Sequence, residues 1–130
     1  MSERVTTWVD GYRTAWQSNA PDDIRALFTD DAVYEYRPND PEAERGIEAI
    51  VKGWLDAADS PGETTWEWHP LAEEGDVATI QGRTVYLDAD GTPRATYDNL
   101  WVITFAPDGR ARHFTEWYME PQKASQPSGE

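Results

Sequence analysis

The chain has 130 residues, with 11 basic and 25 acidic side chains and a formal net charge of −14. This length is typical of one domain that can bury a real core. The charge argues against binding to nucleic acid, whose phosphates would be repelled, and against binding to anionic membrane surfaces. The chain has no cysteine, which excludes disulfides, thiolate chemistry and cysteine-ligated metal.

Seven tryptophans are the most unusual feature of the composition. Because tryptophan is seldom favoured at a surface, we expect several of them to line an interior space. Polar and charged residues interrupt every apolar run near the N-terminus. Neither a signal peptide nor a membrane-spanning segment is therefore predicted, and the expected location is cytoplasmic.

Three helices are predicted in the N-terminal half. The first follows Ser2 and has apolar side chains at helical spacing, namely Val5, Trp8, Val9, Tyr12 and Trp16. A short second helix begins at Pro21 and buries Ile24, Leu27 and Phe28. The third runs from Gly46 to just before Ser60 and buries Ile47, Ile50, Val51, Trp54 and Leu55.

Five strands are predicted around and after these helices. One strand over residues 32–37 is followed by a polar loop over 38–45. Four antiparallel strands complete the chain: 64–73, 77–87, one beginning at Arg94, and one ending at Pro121. Gly82 inside the second of these four indicates a bulge. Residues 1–121 thus form one α+β domain, and the polar tail 122–130 is expected to be loose.

Alternation along the last two strands predicts which side chains face inwards. The inner face of the first should carry Tyr97, Asn99, Trp101, Ile103 and Phe105, and that of the second Ala111, His113, Thr115, Trp117 and Met119. The outer faces should carry Leu100, Val102, Phe114 and Tyr118. Because this outer apolar surface needs a cover, a homodimer is expected. Glu116 is predicted on a solvent or interface face.

Several segments together resemble the nuclear-transport-factor-2-like superfamily, in its SnoaL-like branch. The segments are Ala20–Ile24 with Leu27–Tyr34, Gly46–Ile50 with Trp54, Tyr97–Asn99, and Asp108–Arg110 with Glu116–Pro121. The resemblance covers residues 3–121 and implies a cone, in which a strongly bent mixed or antiparallel sheet is packed on three helices from the N-terminal half. It also implies a deep apolar pocket, but no single activity, because one fold hosts many functions.

The known catalytic sets of the superfamily are incomplete in this chain. Its steroid isomerases use a helix tyrosine and two acids on strands. Tyr12 matches the tyrosine, whereas Tyr36 and Trp101 stand where the acids would be. The Asp-Arg-Asp set of its epoxide hydrolases and the inward Asp of its cyclases are not matched either.

Two interpretations of the pocket remain open at this point. As an isomerase, cyclase or dehydratase, the protein would use His113 as base and Tyr12 or Tyr36 as acid or oxyanion donor. As a non-catalytic binder, it would hold a small apolar or aromatic molecule without turnover. In both cases the predicted ligand contacts are Trp16, Trp54, Asn99, Trp101, Thr115 and Trp117. No cofactor or metal is predicted. A third interpretation, an interaction module acting through the outer sheet face, would fill the pocket with tryptophan.

Overall fold

The computed structural model describes residues 3–56, 64–87 and 90–119. Within these residues, three helices and six strands follow in chain order: α1 (Glu3–Ser18), α2 (Pro21–Arg25), β1 (Phe28–Glu35), β2 (Glu44–Arg45), α3 (Ile47–Asp56), β3 (Thr64–Glu74), β4 (Val77–Leu87), β5 (Pro93–Phe105) and β6 (Ala111–Met119). The predicted α+β class is confirmed. The tail predicted over 122–130 lies outside the described residues.

The six strands form one curled, unclosed mixed sheet in the order β2-β1-β6-β5-β4-β3. Strands β3 to β6 pair antiparallel in sequence, as predicted. Strand β1 pairs in parallel with β6 and antiparallel with the short β2, which lies inside the segment predicted to be a loop. The last strand, β6, therefore pairs with the first, β1, and lies in the middle of the sheet.

The first helix packs against the concave face of this sheet. Its side chains Val5, Trp8 and Val9 are buried, and the Trp8 ring contacts the rings of Phe105 and Phe114 at centroid distances of 6.5 and 5.4 Å. The indole Nε1 of Trp8 donates to the Leu27 carbonyl at 2.9 Å. A buried indole whose N–H has a partner stabilises a core without a desolvation penalty.

The boundary between α2 and β1 differs from the prediction. Helix α2 ends at Arg25, and Phe28 begins β1 instead of completing the helix. The Leu27 carbonyl accepts hydrogen bonds from the Trp8 indole and from the Ala111 backbone N–H, at 2.9 and 2.8 Å. These long-range bonds fix the turn at Leu27 that leads into β1, so tertiary structure overrides the helical pattern there.

A β-bulge in β6 changes the predicted faces of that strand. Thr104 pairs with His113, but the next residue, Phe105, pairs with Ala111, so Arg112 is an extra residue. Because strand side chains alternate, one extra residue reverses every later position. A bulge was predicted at Gly82 instead; that prediction is wrong, since Gly82 pairs regularly with both neighbouring strands.

The inner face predicted for β5 is confirmed, and that predicted for β6 is wrong after Ala111. Phe114 is fully buried opposite Ile103, whereas Trp117 is 41% exposed on the outer face. Of the four residues predicted outside, Leu100 and Val102 are there, but Phe114 is not. Tyr118 pairs with the inward-facing Asn99 and is therefore on the inner side as well. Among the described residues, no helix is long and apolar enough to cross a membrane.

Candidate functional site

The reversed face of β6 brings a carboxylate into the concave side of the sheet. Glu116 pairs with Trp101, which is 2% exposed and lies in the core. Its Oε1 accepts a hydrogen bond from the Tyr34 hydroxyl at 3.0 Å, and its Oε2 accepts one from Asn99 Nδ2 at 3.5 Å. The sequence pattern placed Glu116 on a solvent or interface face, and that prediction is wrong because of the bulge at Arg112.

Asn99 is held in the orientation that serves Glu116. The Thr84 hydroxyl donates to Asn99 Oδ1 at 2.8 Å, and both side chains are buried. Because the amide oxygen is occupied by this donor, the amide nitrogen is directed towards the carboxylate. Thr84, Asn99, Glu116 and Tyr34 therefore form one connected chain of hydrogen bonds across β4, β5, β6 and β1.

The surroundings of Glu116 raise its pKa. The side chain keeps part of its solvent contact, yet burial among protein atoms raises the pKa, and hydrogen bonds from Tyr34 and Trp101 oppose that rise only in part. Burial also raises the pKa of Tyr12 and of Tyr34, and the negative charge of Glu116 raises both further. The two phenols therefore remain protonated hydrogen-bond donors beside a carboxyl group that resists ionisation.

A second carboxylate, that of Glu44 on β2, lies next to the first group. Its two oxygens share the single proton of the Tyr36 hydroxyl, and each lies 3.2 Å from the phenol oxygen. Burial raises the pKa of Glu44, the Tyr36 bond lowers it, and the negative charges of Asp40 and Asp56 raise it again. Burial raises the pKa of Tyr36, and the negative charges of Glu44 and Glu116 raise it further.

Aromatic rings surround both acids. Tyr12 lies 5.0 Å from Trp54 and 4.4 Å from Trp101, measured between ring centroids. The Tyr34 and Tyr36 rings are 5.0 Å apart. We call the inner face of the sheet with these rings the cone. Its wall is apolar, and its polar groups are mainly phenols and carboxylates.

A row of tyrosines continues the cone wall towards the open end of the sheet. The Tyr97 ring lies edge-on to Tyr86 at 5.8 Å and to Tyr118 at 5.9 Å. Tyr118 is 56% exposed, so this row reaches solvent. The aromatic inner face of the sheet is therefore exposed at Tyr118.

Five of the predicted site residues come together in the cone. Tyr12, Asn99 and Trp101 are buried there, and Tyr36 and Trp54 are partly buried against the same core. Trp16 is half-buried on α1, one turn beyond Tyr12.

The other three predicted site residues lie on the outer face, so the expectation that they share the cone is wrong. His113 Nε2 is 2.7 Å from Glu35 Oε1, and the Thr115 hydroxyl donates to the same oxygen at 2.8 Å. Burial raises the pKa of Glu35, but these two hydrogen bonds, the charge of His113 and a backbone hydrogen bond from Asp40 together lower it. Trp117, the third residue, is exposed beside Leu100.

Sequence reasoning missed Glu116 and Tyr34 as site residues. Tyr34 stands two residues before Tyr36 in a predicted strand, so alternation places both on one face, and their rings lie 5.0 Å apart. Nothing in the local sequence marks Arg112 as the bulge that turns Glu116 inwards. Among residues 3–56, 64–87 and 90–119, no three His, Cys, Asp or Glu side chains are grouped so as to hold a metal ion.

The comparisons with known proteins agree with this architecture. The protein-family model of the SnoaL-like domain matches residues 9–114. A solved structure from Sinorhizobium meliloti, described as a proposed polyketide cyclase, is 23% identical with a TM-score of 0.58, covering 85% of this chain and 93% of its own. A comparison with curated proteins gave no match.

Two further solved structures have the same fold. A ketosteroid isomerase-like protein from Erwinia carotovora atroseptica is 19% identical with a TM-score of 0.61, covering 89% of this chain and 94% of its own. An NTF2-like protein of unknown function from Cytophaga hutchinsonii is 16% identical with a TM-score of 0.60, covering 87% and 97%. At these identities the likeness concerns the fold alone.

Proposed function

Because the chain belongs to the SnoaL-like family, we propose that its cone is a proton-transfer site of the isomerase, cyclase or dehydratase type. Glu116 is the acid–base group, and the substrate is a small, mostly apolar or polycyclic carbonyl compound. The observation that carries this proposal is the hydrogen bond of 3.0 Å from Tyr34 to the inward-facing Glu116. A carboxyl group at this position can reach a ligand bound among the rings.

The raised pKa of Glu116 suits this role. Proton transfer is most efficient when the pKa of the catalytic group lies near the working pH, and burial moves the pKa of this carboxyl in that direction. In the proposed reaction, Glu116 removes a proton from the carbon next to the carbonyl, and the C–H electrons form the enolate. Glu116 then returns the proton to another carbon of the same substrate, so no oxidant or reductant is needed.

Tyr12 is the proposed oxyanion donor, while Tyr34 donates its single hydroxyl proton to Glu116 and holds that side chain in place. Both hydroxyls stay protonated because burial and the nearby Glu116 raise their pKa. Fixed donors aimed at a developing oxyanion in a dry site are worth more than the same donors in water. His113 has no part in this scheme, since it is on the outer face and bonded to Glu35.

The solved relatives support this choice of reaction class. One is described as a proposed polyketide cyclase and another as ketosteroid isomerase-like. Cyclisation of a polyketide and isomerisation of a ketosteroid are both reactions of carbonyl compounds, as is the proposed one. The alternative is a non-catalytic binder. It is favoured by the hydrogen bonds from Asn99 and Tyr34 to Glu116, because these bonds could have the purely structural role of holding the cone wall in one conformation.

The outer face supports a proposed homodimer. Leu100 and Val102 are half-buried there, and Trp117 is exposed beside them. This apolar strip spans β5 and β6, and a second copy of the chain could cover it by the same residues across a two-fold axis. The interaction-module interpretation would use this strip for a different protein.

Deuterium incorporation tests the proton-transfer proposal. A panel of apolar cyclic and polycyclic ketones is incubated with the protein in D₂O, and exchange at carbon is followed by proton NMR. We expect catalysed exchange for at least one compound, lost roughly 10²–10⁴-fold in Glu116→Gln. The matched control His113→Gln should retain the wild-type rate.

Two outcomes of this experiment would refute the proposal. Exchange that persists in Glu116→Gln, or that disappears in His113→Gln, would exclude Glu116 as the acid–base group. Compounds that bind without any catalysed exchange would favour the non-catalytic binder.

A further inference from the structure

We infer that the ligand of the cone carries a positively charged nitrogen on its apolar body, and that Glu44 is the residue that selects for it. This inference rests on the proposed function of the cone as a ligand site and adds the chemical class of the ligand. It follows from three features of the cone wall: the sign of its charges, the position of the Glu44 side chain against α3, and the aromatic side chains beside the carboxylates.

The charges of the cone wall are all of one sign in the described part of the chain. Glu116 accepts hydrogen bonds from a phenol and an amide, and Glu44 from a phenol, so the hydrogen-bond donors of both are neutral. The ion pairs found among the described residues involve Arg4, Arg25, Lys52, Arg83, Arg110 and His113, and none of them includes either cone carboxylate.

A carboxylate withdrawn from water without a cation is costly. The charges that shift the pKa of Glu44 are those of Asp40 and Asp56, which are negative as well. The cation Lys52 pairs with Asp56 at 2.8 Å and not with Glu44. A neutral ligand would displace water from the cone and leave this cost in place. A cationic ligand would offset it, which gives the cone a physical reason to prefer a cation.

The position of the Glu44 side chain depends on a glycine in the middle of α3. A Cβ atom added at Gly53 would collide with the Glu44 carboxylate group. Glycine destabilises a helix interior relative to alanine, yet here it allows the carboxylate to lie against the helix backbone beside Tyr36. The fold therefore makes room for this acid at a position where a side chain on α3 would exclude it.

The rings next to the carboxylates complete the recognition of a cation. The face of an aromatic ring is negative and attracts alkylammonium groups, most strongly for tryptophan and tyrosine. Tyr36 contacts Glu44 directly, and Tyr12, Trp54 and Trp101 lie in one contiguous group. Aromatic faces combined with carboxylates favour a basic nitrogen over a neutral group of the same shape.

Two ligands of equal shape and different charge test this inference. Phenyltrimethylammonium and tert-butylbenzene differ by one atom, nitrogen against carbon, and by one positive charge. Binding of each to the full chain is followed by tryptophan fluorescence. We expect the cation to bind at least tenfold more tightly than its neutral isostere. Equal affinities, tighter binding of the neutral compound, or no binding of either would overturn the inference.

Matched variants assign the preference to Glu44. Glu44→Gln keeps the size of the side chain and an acceptor for Tyr36 but removes the charge, so the preference for the cation should fall severalfold. Glu67→Gln removes the same charge from an exposed position on β3 and should leave the preference unchanged. A preference that survives in Glu44→Gln, or falls equally in Glu67→Gln, would contradict the role of Glu44.

The outcomes separate this inference from the proposed function. If the two ligands bind equally, the cone is a site for apolar molecules and only the charge preference fails. Exchange of neutral ketones in D₂O, which does not require a cationic ligand, still decides whether Glu116 transfers protons.

Discussion

Removing one hydroxyl group from Tyr34 should weaken the protein more at high pH than at low pH. Tyr34→Phe leaves the ring packed against Phe114, at a centroid distance of 4.8 Å, and against Tyr36. It removes the donor to Glu116 Oε1 at 3.0 Å. In the wild-type protein this bond lowers the pKa of Glu116 against the effect of burial, so its loss should raise that pKa further.

The magnitude depends on the protonation state of the acceptor. A hydrogen bond to a charged acceptor stabilises a protein by about 1.5–3 kcal/mol, and one between neutral groups by about 0.5–1.5 kcal/mol. The cost of Tyr34→Phe in the free energy of unfolding should therefore be about 2 kcal/mol where Glu116 is ionised. It should approach about 1 kcal/mol where Glu116 is protonated. The cost grows with pH because the variant raises the pKa of Glu116 further, so ionisation of Glu116 destabilises the variant more than the wild type as pH rises through the folded pKa.

Urea denaturation from pH 4 to pH 9, with ¹³C NMR titration of the Glu116 carboxyl carbon, measures both effects. Tyr97→Phe is the matched control, since Tyr97 is also in the cone wall but is not among the hydrogen-bond donors found for Glu116 in the described residues. A cost independent of pH, or a Glu116 pKa that stays unchanged or falls in Tyr34→Phe, would refute the reasoning.

Three further predictions concern the two faces of the sheet. Glu116→Gln should become more stable relative to wild type as pH rises from the ordinary glutamate pKa to the raised folded value, by up to about 1.4 kcal/mol per pH unit in urea titrations; a flat difference would contradict the raised pKa. Glu35→Gln should cost about 1–2 kcal/mol at pH 7, and the cost should vanish on acidification, because the lowered pKa of Glu35 stabilises the fold only above that pKa; a cost that persists at pH 3 would argue against this. Light scattering at micromolar concentration should give a dimer for the wild type and a folded monomer for Val102→Glu; a wild-type monomer would refute the dimer.

The inner face of β5 was predictable from sequence because its pairing is regular. From Asp98 to Thr104 every residue has one partner on β6, so strict alternation holds and Asn99, Trp101 and Ile103 face the core. Local pattern and tertiary packing agree along this strand, which is why its aromatic and polar inner residues were identified correctly.

The inner face of β6 was not predictable, because one extra residue decides it. The bulge at Arg112 depends on how β6 pairs with its neighbours, and β1 shows its own register shift between Phe28 and Val33 opposite the same place. No glycine or proline marks the bulge in the sequence. The same cause moved His113 to the outer face and brought Glu116 into the cone.

The pairing of β1 with β6 was also beyond the sequence pattern. It joins residues about eighty positions apart, and it places Tyr34 beside Phe114 and near Glu116. Periodicity assigns a side chain to a face but gives no information on which distant strand lies beside it. The candidate site, which depends on such contacts, therefore had to come from the structure.

A crystal structure of the protein with a bound cyclic ketone tests the central claim most directly. We expect the ligand to lie among Tyr12, Tyr34 and Trp101. The carbonyl oxygen, or the carbon beside it, should be within about 3–3.5 Å of a Glu116 oxygen or a tyrosine hydroxyl. A ligand bound on the outer face beside His113, or a Glu116 carboxylate turned away from a ligand in the cone, would contradict it.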